Sequence, residues 1–300
     1  MTTKVSAVAN VEDALPKRRI EPAVGPVVLE PLWVRTVLIT VALLFLTAFL
    51  IVPLVAVFAE AFKKGWEAYV AAIIDPDAIS AIKLTLITAA IAVPLNLVFG
   101  VAASWCIAKF EFRGKSILLT LIDLPFSVSP VISGLIYVLL FCAQGWFGQF
   151  IEGVLGIKVA FTPLGVVVAL TFIGLPFVVR TVQPVLEEAE RELEEAAASL
   201  GASSLQIFSR VVFPTIMPAL LTGFALAFAR ATGEYGSVIF IAGNMPMISE
   251  ITPLFIITKL EQYDYAGATA IAVVLLLASF LMLLAINLLQ SWTRNRAGKK

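Results

Sequence analysis

Residues Gln183–Pro214 read QPVLEEAERELEEAAASLGASSLQIFSRVVFP. This is the longest charged segment of the chain, and it lies between two runs that carry almost no charge. Phe161–Val179 before it has no charged residue, and Val211–Ser249 after it has only Arg230 and Glu234. About 20 residues of apolar helix cross the ~30 Å hydrocarbon core of a bilayer. The charged segment is therefore a loop tying two membrane spans together.

Working outward, four more runs qualify. Thr36–Ala59, Leu84–Ala108 and Ala266–Thr293 carry no charge, and Ser116–Ala143 carries only Asp123. Soluble helices would show a charged face at a 3.6-residue period, and these runs do not. The expected fold class is an all-α polytopic membrane protein with six transmembrane helices. Val211–Ser249 exceeds one crossing, so a helix followed by an irregular tail is expected there. The expected organisation is an N-terminal tail over 1–33, a transmembrane domain over 34–293 containing the loop 183–214, and a basic tail over 294–300. The tail reads as little structured rather than as a signal peptide, because Lys17-Arg18-Arg19 lies far from the start and the first apolar run is too long.

Composition agrees. Of 300 residues, 60% are hydrophobic and 14% charged, and mean hydropathy is +0.98. Soluble domains run at about 45–50% apolar and about 25% charged. Lys+Arg and Asp+Glu are both 21, so no net field draws the chain to nucleic acid. There is no histidine, which removes Ser-His-Asp triads, His–metal sites and His general bases. The two cysteines, Cys106 and Cys142, lie inside apolar runs, and neither a disulfide framework nor a metal site is expected. Gly114-Lys115-Ser116 mimics the end of a phosphate-binding loop, but Lys109 stands where that loop needs its first glycine. No cofactor is expected.

Lys and Arg placement sets direction. With a cytoplasmic N-terminus, the inner segments hold fifteen of these residues, among them Arg35, Lys109, Arg113, Lys115, Arg180 and Arg210. The outer segments hold five, Lys63, Lys64, Lys83, Lys158 and Lys259, and Arg230 lies within the membrane. Both chain ends and the 183–214 loop are expected in the cytoplasm. No internal repeat supports an inverted-repeat carrier.

Within the loop, Pro184 suits a first helical turn, which places Glu187, Glu188 and Glu190 near the positive end of that helix. Leu186, Ala189, Leu193, Ala197 and Leu200 form one apolar stripe. Gly201 reads as a left-handed C′ residue, and Ser203 with Gln206 reads as a capping box for a second helix. Pro214 ends that helix or kinks it. A solvated amphipathic connector has the same features.

Glu195-Ala196-Ala197, three residues, Gly201, then nine residues to Val211 and Pro214, resembles the EAA loop of ABC-importer permeases. Val211 and Phe213 stand where that motif has Ile and Leu. The resemblance implies a type I ABC-importer permease architecture. It also implies that Glu195, Ala196, Ala197, Gly201, Ala202 and Ser203 form a coupling loop docking into an ATPase subunit. Over roughly 35–293 the chain is similar to sulfate/thiosulfate importer permeases. The segment Leu121–Pro130 and Gly145-Trp146-Phe147-Gly148 look W-type; Gly174–Arg180, Ala229–Gly236 and Gln262-Tyr263-Asp264-Tyr265 look T-type. The partners so implied are two ABC ATPase subunits that bind the ATP, a second permease subunit, alike or related, and a periplasmic sulfate-binding protein. The location so implied is the bacterial inner membrane, in contact with lipid. Molybdate and tungstate permeases are related alternatives. An ion-coupled secondary anion carrier is the alternative of a different class, and a membrane-embedded enzyme is the weakest.

Arg230 and Glu234 are the sharpest anomaly. A charge at the centre of a membrane helix costs about 2.5–3.5 kcal/mol on insertion scales. At i and i+4 of one helix the two would share a face and pair. Such a pair either braces the helix bundle or offers Arg230 to a passing oxyanion, whose oxygens its planar fork fits. In the third span Pro125 and Pro130 flank Ser127 and Ser129. Prolines free backbone groups, which are tolerated at depth where they are buried in protein or face a water-filled cavity. The break therefore either faces the pathway with its serine hydroxyls or is an ordinary kink with serines bonded back to carbonyls. Asp123 reads as a packing or gating contact. Gly243-Asn244-Met245-Pro246-Met247 is expected to end the fifth helix, and the outer loops 63–77, 144–159 and 244–265 to receive a binding protein.

Overall fold

The computed structural model describes residues 31–189 and 191–297. All but the last three residues of the expected 1–33 tail lie outside the described residues, as do 298–300 of the expected basic tail. The described residues form helices and turns without strands. In chain order the helices are α1 (Leu32–Phe62), α2 (Trp66–Ile74), α3 (Pro76–Lys109), α4 (Lys115–Ser127), α5 (Pro130–Phe141) and α6 (Trp146–Leu155). They continue with α7 (Pro163–Glu188), α8 (Arg191–Ser199), α9 (Ser204–Thr232), α10 (Val238–Ala242), α11 (Thr252–Glu261) and α12 (Tyr265–Ala297). Five of these, α1, α3, α7, α9 and α12, are long and apolar enough to cross a membrane, and α4 with α5, bent by 114°, makes a sixth span. The expected count of six is reached when this pair is taken as one span, broken at its prolines.

The described residues fall into two compact units, divided between Pro53 and Leu54. The first contributes the leading part of α1, whose large apolar residues from Leu32 to Val52 are exposed except for Val34. In the second, the core is made by α3, α7 and α9 with α10 and the start of α11. Without water between helices, close approach comes from small residues. A Cβ on Gly100 would come within 2.5 Å of Val178 Cγ1, and one on Gly223 within 2.7 Å of Thr181 Oγ1. Near the start of α3, Thr85 accepts the Thr252 N–H at 2.8 Å and shares a hydroxyl contact of 2.9 Å with the same residue, tying α11 to α3.

Two helices contain a π-helical run, Thr47–Ile51 and Phe208–Val212. Each ends two residues before a proline, Pro53 and Pro214. A proline ring clashes with the carbonyl four residues back and donates nothing to it. Here those residues, Phe49 and Arg210, lie in the π runs, where the wider turn absorbs the misfit. Pro214 thus neither ends the helix nor starts a new one; α9 runs through it.

Two expectations about helix limits are corrected. Pro184 does not open a loop helix. It lies inside α7, which continues to Glu188 because Val182 and Leu186 are buried against the bundle. Glu187 and Glu188 consequently occupy the last turn of α7, not the first turn of a loop helix. The chain leaves the helix at Ala189 (φ −62°, ψ 125°), and the loop helix α8 has Glu192 and Glu194 in its first turn. The second correction concerns α9. It stops at Thr232, well before Gly243, so Glu234 lies beyond the helix end.

Candidate functional site

The elbow after α8 is built by backbone hydrogen bonds. Gly201 has φ +84°, its N–H donates to Ala198 O at 2.9 Å, and the N–H of Ala202 donates to Ala197 O at 3.1 Å. This is a Schellman closure, which needs a residue free of the left-handed penalty at C′. Two residues on, Ser203 and Gln206 form the reciprocal capping box that opens α9: Gln206 Oε1 accepts the Ser203 N–H at 2.8 Å, and Ser203 Oγ accepts the Gln206 N–H at 3.4 Å. The apolar stripe is split by the break at Ala189. Leu186 is buried in the bundle, while Leu193, Leu200 and Leu205 are exposed, Leu200 at 89%. Beneath the elbow lies a hollow of about 440 Å³, lined by Ala197, Leu200, Gly201, Gln206, Ile207 and Arg210 among others. Glu195 lines a smaller one with Trp105, Lys109 and Glu194.

Among the described residues, contacts at Lys109 and Trp105 fasten this loop to the bundle, and neither is foreshadowed by local sequence. Lys109 Nζ at the end of α3 stands 2.6 Å from Glu194 Oε1 on α8, with side chains only 11% and 22% exposed. Trp105, one turn earlier, meets the edge of Phe208 on α9 at 5.4 Å and lies 5.8 Å from the Lys109 ammonium.

Arg230 and Glu234 do pair, but not along one helix face. Gly233 caps α9, and the chain turns so that Glu234 reaches back, Oε2 to Arg230 Nη2 at 2.7 Å. The guanidinium N–H does not align with this contact, so charge rather than a directed hydrogen bond holds Oε2. Glu234 Oε1 accepts the N–H of Ser237 at 2.9 Å and its hydroxyl at 2.7 Å. That local bonding competes with helix continuation and accounts for the early stop. Glu234 is 1% exposed and Arg230 is 35% exposed.

The broken third span lies against this turn. A Cβ on Gly236 would be 3.0 Å from Pro130 Cβ, and one on Gly134 would be 2.5 Å from Ser237 O. The structure thus brings Pro130 beside the Arg230–Glu234 turn. Pro125 is inside α4 and Pro130 opens α5, with Ser127 and Ser129 exposed at the bend. Among the described residues neither hydroxyl bonds back to a carbonyl, whereas Thr120 of the same helix does so at 2.8 Å. Asp123, two residues before Pro125, accepts two hydrogen bonds from Arg180 of α7, one from Nε at 3.0 Å and a shorter one from Nη2.

The segments expected as outer loops are themselves helical, carrying α2, α6 and α11. Lys64–Asp264 at 3.1 Å and Lys259–Asp75 at 3.3 Å cross a hollow of about 290 Å³ between α2, α11 and the start of α12. Burial pushes the Asp264 carboxyl up, but the Gly267 N–H and the Lys64 and Lys259 charges outweigh it and hold it below the ordinary range. Burial pushes the Glu250 carboxyl above that range, against the hydrogen bond it accepts from Thr258 at 2.9 Å.

Six spans, a broken third span and a loop of two short helices closed at a glycine define a transport-system membrane component. Residues 96–298 match the family of binding-protein-dependent transport system inner membrane components, and the chain belongs to that family. It is a multi-pass membrane protein with the fold of type I ABC-importer permeases, a transporter subunit. It is 46% identical over 256 residues to a probable sulfate transport system permease protein cysT of Nephroselmis olivacea, covering 85% of this chain and 90% of that one. It is 44% identical over 250 residues to the sulfate transport system permease protein CysT of Escherichia coli K12, covering 83% and 90%. Both matches span the W-like first half as well as the T-like second half. A chain of a bacterial ABC transporter involved in the import of the acidic polysaccharide alginate shares the fold, with a TM-score of 0.72 at 18% identity, over 86% of this chain and 95% of that one.

Proposed function

We propose that the chain is the membrane-spanning subunit of an ATP-driven importer that brings sulfate or thiosulfate into the cytoplasm. The observation that carries this reading is the similarity to CysT permeases over nine-tenths of their length. The site geometry supports it: an arginine, half-open beside a buried carboxylate, adjoins a proline break with free serine hydroxyls. Arg230 would offset the charge of a passing oxyanion, Glu234 would hold the guanidinium in place, and Ser127 and Ser129 would donate to oxyanion oxygens.

The chain holds no fuel site by this reading. A solute-binding protein delivers the anion at the outer face, near the hollow spanned by Lys64–Asp264 and Lys259–Asp75. Two ATPase subunits close on ATP beneath the membrane. The elbow of Glu195, Ala196, Ala197, Gly201, Ala202 and Ser203 receives that movement through its exposed Leu200 and Leu205. Lys109–Glu194 and Trp105–Phe208 pass it to α3 and α9. A second permease subunit, alike or related, completes the pathway. Both chain ends face the cytoplasm by this reading, which the Lys/Arg asymmetry of the sequence supports.

The test is uptake of labelled sulfate by proteoliposomes holding the assembled complex, competed by thiosulfate and by molybdate. Inhibition by thiosulfate at concentrations similar to unlabelled sulfate, with molybdate weak, supports the reading. Preferential block by molybdate moves the chain to the related molybdate class. Uptake by the chain alone on an ion gradient defeats the importer reading.

A further inference from the structure

Arg180 and Asp123 belong neither to the elbow nor to the Arg230 turn. Their two-pronged contact uses the Nε and one Nη2 hydrogen of Arg180. A guanidinium has five N–H donors, so three remain. The Arg180 side chain is 63% exposed, so those donors are not enclosed by this chain.

Its depth can be placed. Gly223 of α9 packs against Val178 and Thr181 of α7, so Arg180 lies level with Gly223. Arg230 is seven residues further along α9, which at 1.5 Å per residue is about 10 Å nearer the outer end. Arg180, counted from sequence among the inner residues, lies inside the spanning helix α7, where an open guanidinium is costly against lipid tails and belongs in the bundle interior or a water-filled cavity. The broken third span links the two arginines. Asp123 anchors its first half to Arg180, Ser127 and Ser129 are exposed at the bend, and Pro130 meets Gly236 beside Glu234. Each arginine thus has one carboxylate neutralising it and donors left over, and a polar bend joins them.

We propose that Arg180 is a second oxyanion station of the pathway, inward of Arg230, with Asp123 as the counter-charge that reclaims the guanidinium when the anion leaves. This rests on the anion-permease reading above. A single strong site would hold a dianion; passage requires binding that is favourable to enter yet weak or multiple enough to leave. Asp123 supplies the competing ligand that keeps residence short. No bond is made or broken; the anion exchanges one set of N–H donors for the next.

The experiment uses the assembled transporter with ATPase and binding protein. Asp123→Asn/Arg180→Gln removes both charges and strands neither. A station predicts that the complex assembles, that binding-protein-stimulated ATP hydrolysis persists, and that sulfate uptake falls roughly tenfold or more, as for loss of a charge-assisted hydrogen bond. Wild-type uptake by this variant overturns the proposal and makes the pair a brace. A second readout does not depend on turnover. With Cys106 and Cys142 replaced, Ser127→Cys is alkylated with and without sulfate. Slowing by sulfate that disappears with Arg180→Gln supports the station; equal slowing in both overturns it. If the double variant fails to assemble, Arg180→Lys keeps the pair but loses the fork; lowered uptake with intact ATP hydrolysis supports the proposal, and unchanged uptake overturns it. Absence of sulfate uptake in the wild-type complex defeats the permease reading instead, so the two failures are distinguishable.

Discussion

Lys109 and Glu194 are 85 residues apart in the chain, yet their charged groups stand 2.6 Å apart, largely out of solvent, where the last turn of α3 meets the loop helix α8. The contact joins the loop to α3, the path along which the proposed coupling would run.

Removing it should uncouple movement from hydrolysis. Glu194→Gln and Lys109→Ala each leave a partly buried partner, at a cost of about 1–3 kcal/mol. Sulfate carried per ATP hydrolysed should fall several-fold in each, measured in proteoliposomes. Lys109→Glu/Glu194→Lys should recover part of the loss. Singles with wild-type coupling ratios would reduce the pair to decoration.

Gly201 tests the elbow. Nothing lies within 4 Å of a Cβ placed there, so backbone strain is the whole penalty at φ +84°. An ordinary L-residue in the left-handed region pays about 1–2 kcal/mol, while Asn is tolerated. Gly201→Val should weaken co-purification of the ATPase subunit with little change in thermal unfolding of the membrane subunit. Gly201→Asn should bind the ATPase nearly as wild type.

Much of this loop was legible beforehand. The Gly turn and the Ser203–Gln206 box are local, three- or five-residue relations, and both formed as their spacing requires. The start of the loop is not legible in the sequence, because Pro184 and the Glu run carry a helix-opening signal, while burial of Leu186 in the helix core, a tertiary fact, keeps α7 going. The Arg230–Glu234 contact was readable from i, i+4 spacing, but the helix end at Thr232 was not, because it follows from how Glu234 captures Ser237. Arg180–Asp123 and Lys109–Glu194 cross 57 and 85 positions, and no local pattern marks them.

The Arg230 turn gives a transport prediction. Arg230→Ala strands the buried Glu234 charge, so lost uptake there mixes folding with function. Arg230→Gln/Glu234→Gln avoids this. It should insert and assemble, shown by co-purification and cross-linking, and take up no sulfate above background. Normal uptake by this variant would remove Arg230 from the mechanism.

The helix contact at Gly100 gives a stability prediction. A Cβ there would come within 2.5 Å of Val178 Cγ1 and 2.7 Å of Val178 Cβ. Gly100→Ala should cost about 1–3 kcal/mol by overpacking, read as lower thermal stability in detergent. Val178→Ala in the same chain should restore part of it, a non-additive pair. Additive losses would mean that α3 and α7 are not in contact there.

Glu250 gives a pH prediction. Its carboxyl is raised above the ordinary range by burial. The folded subunit then holds that proton more tightly than the unfolded chain, so the contribution is present below the ordinary value and is lost as pH rises through the raised one. Thermal stability should carry a downward component as pH rises above the ordinary carboxylate range. Glu250→Gln should remove that component, and an unchanged profile would contradict the assignment.

The central claim is that the Gly201 elbow is gripped from the cytoplasm by a nucleotide-driven partner. With Cys106 and Cys142 replaced, a single cysteine at position 200, exposed beside the elbow, tests it directly in the assembled transporter. The expected result is no labelling by an impermeant thiol reagent added outside, and a cross-link to the ATPase subunit whose yield changes with ATP. Labelling from the outside, or no ATPase cross-link in any nucleotide state, would contradict it.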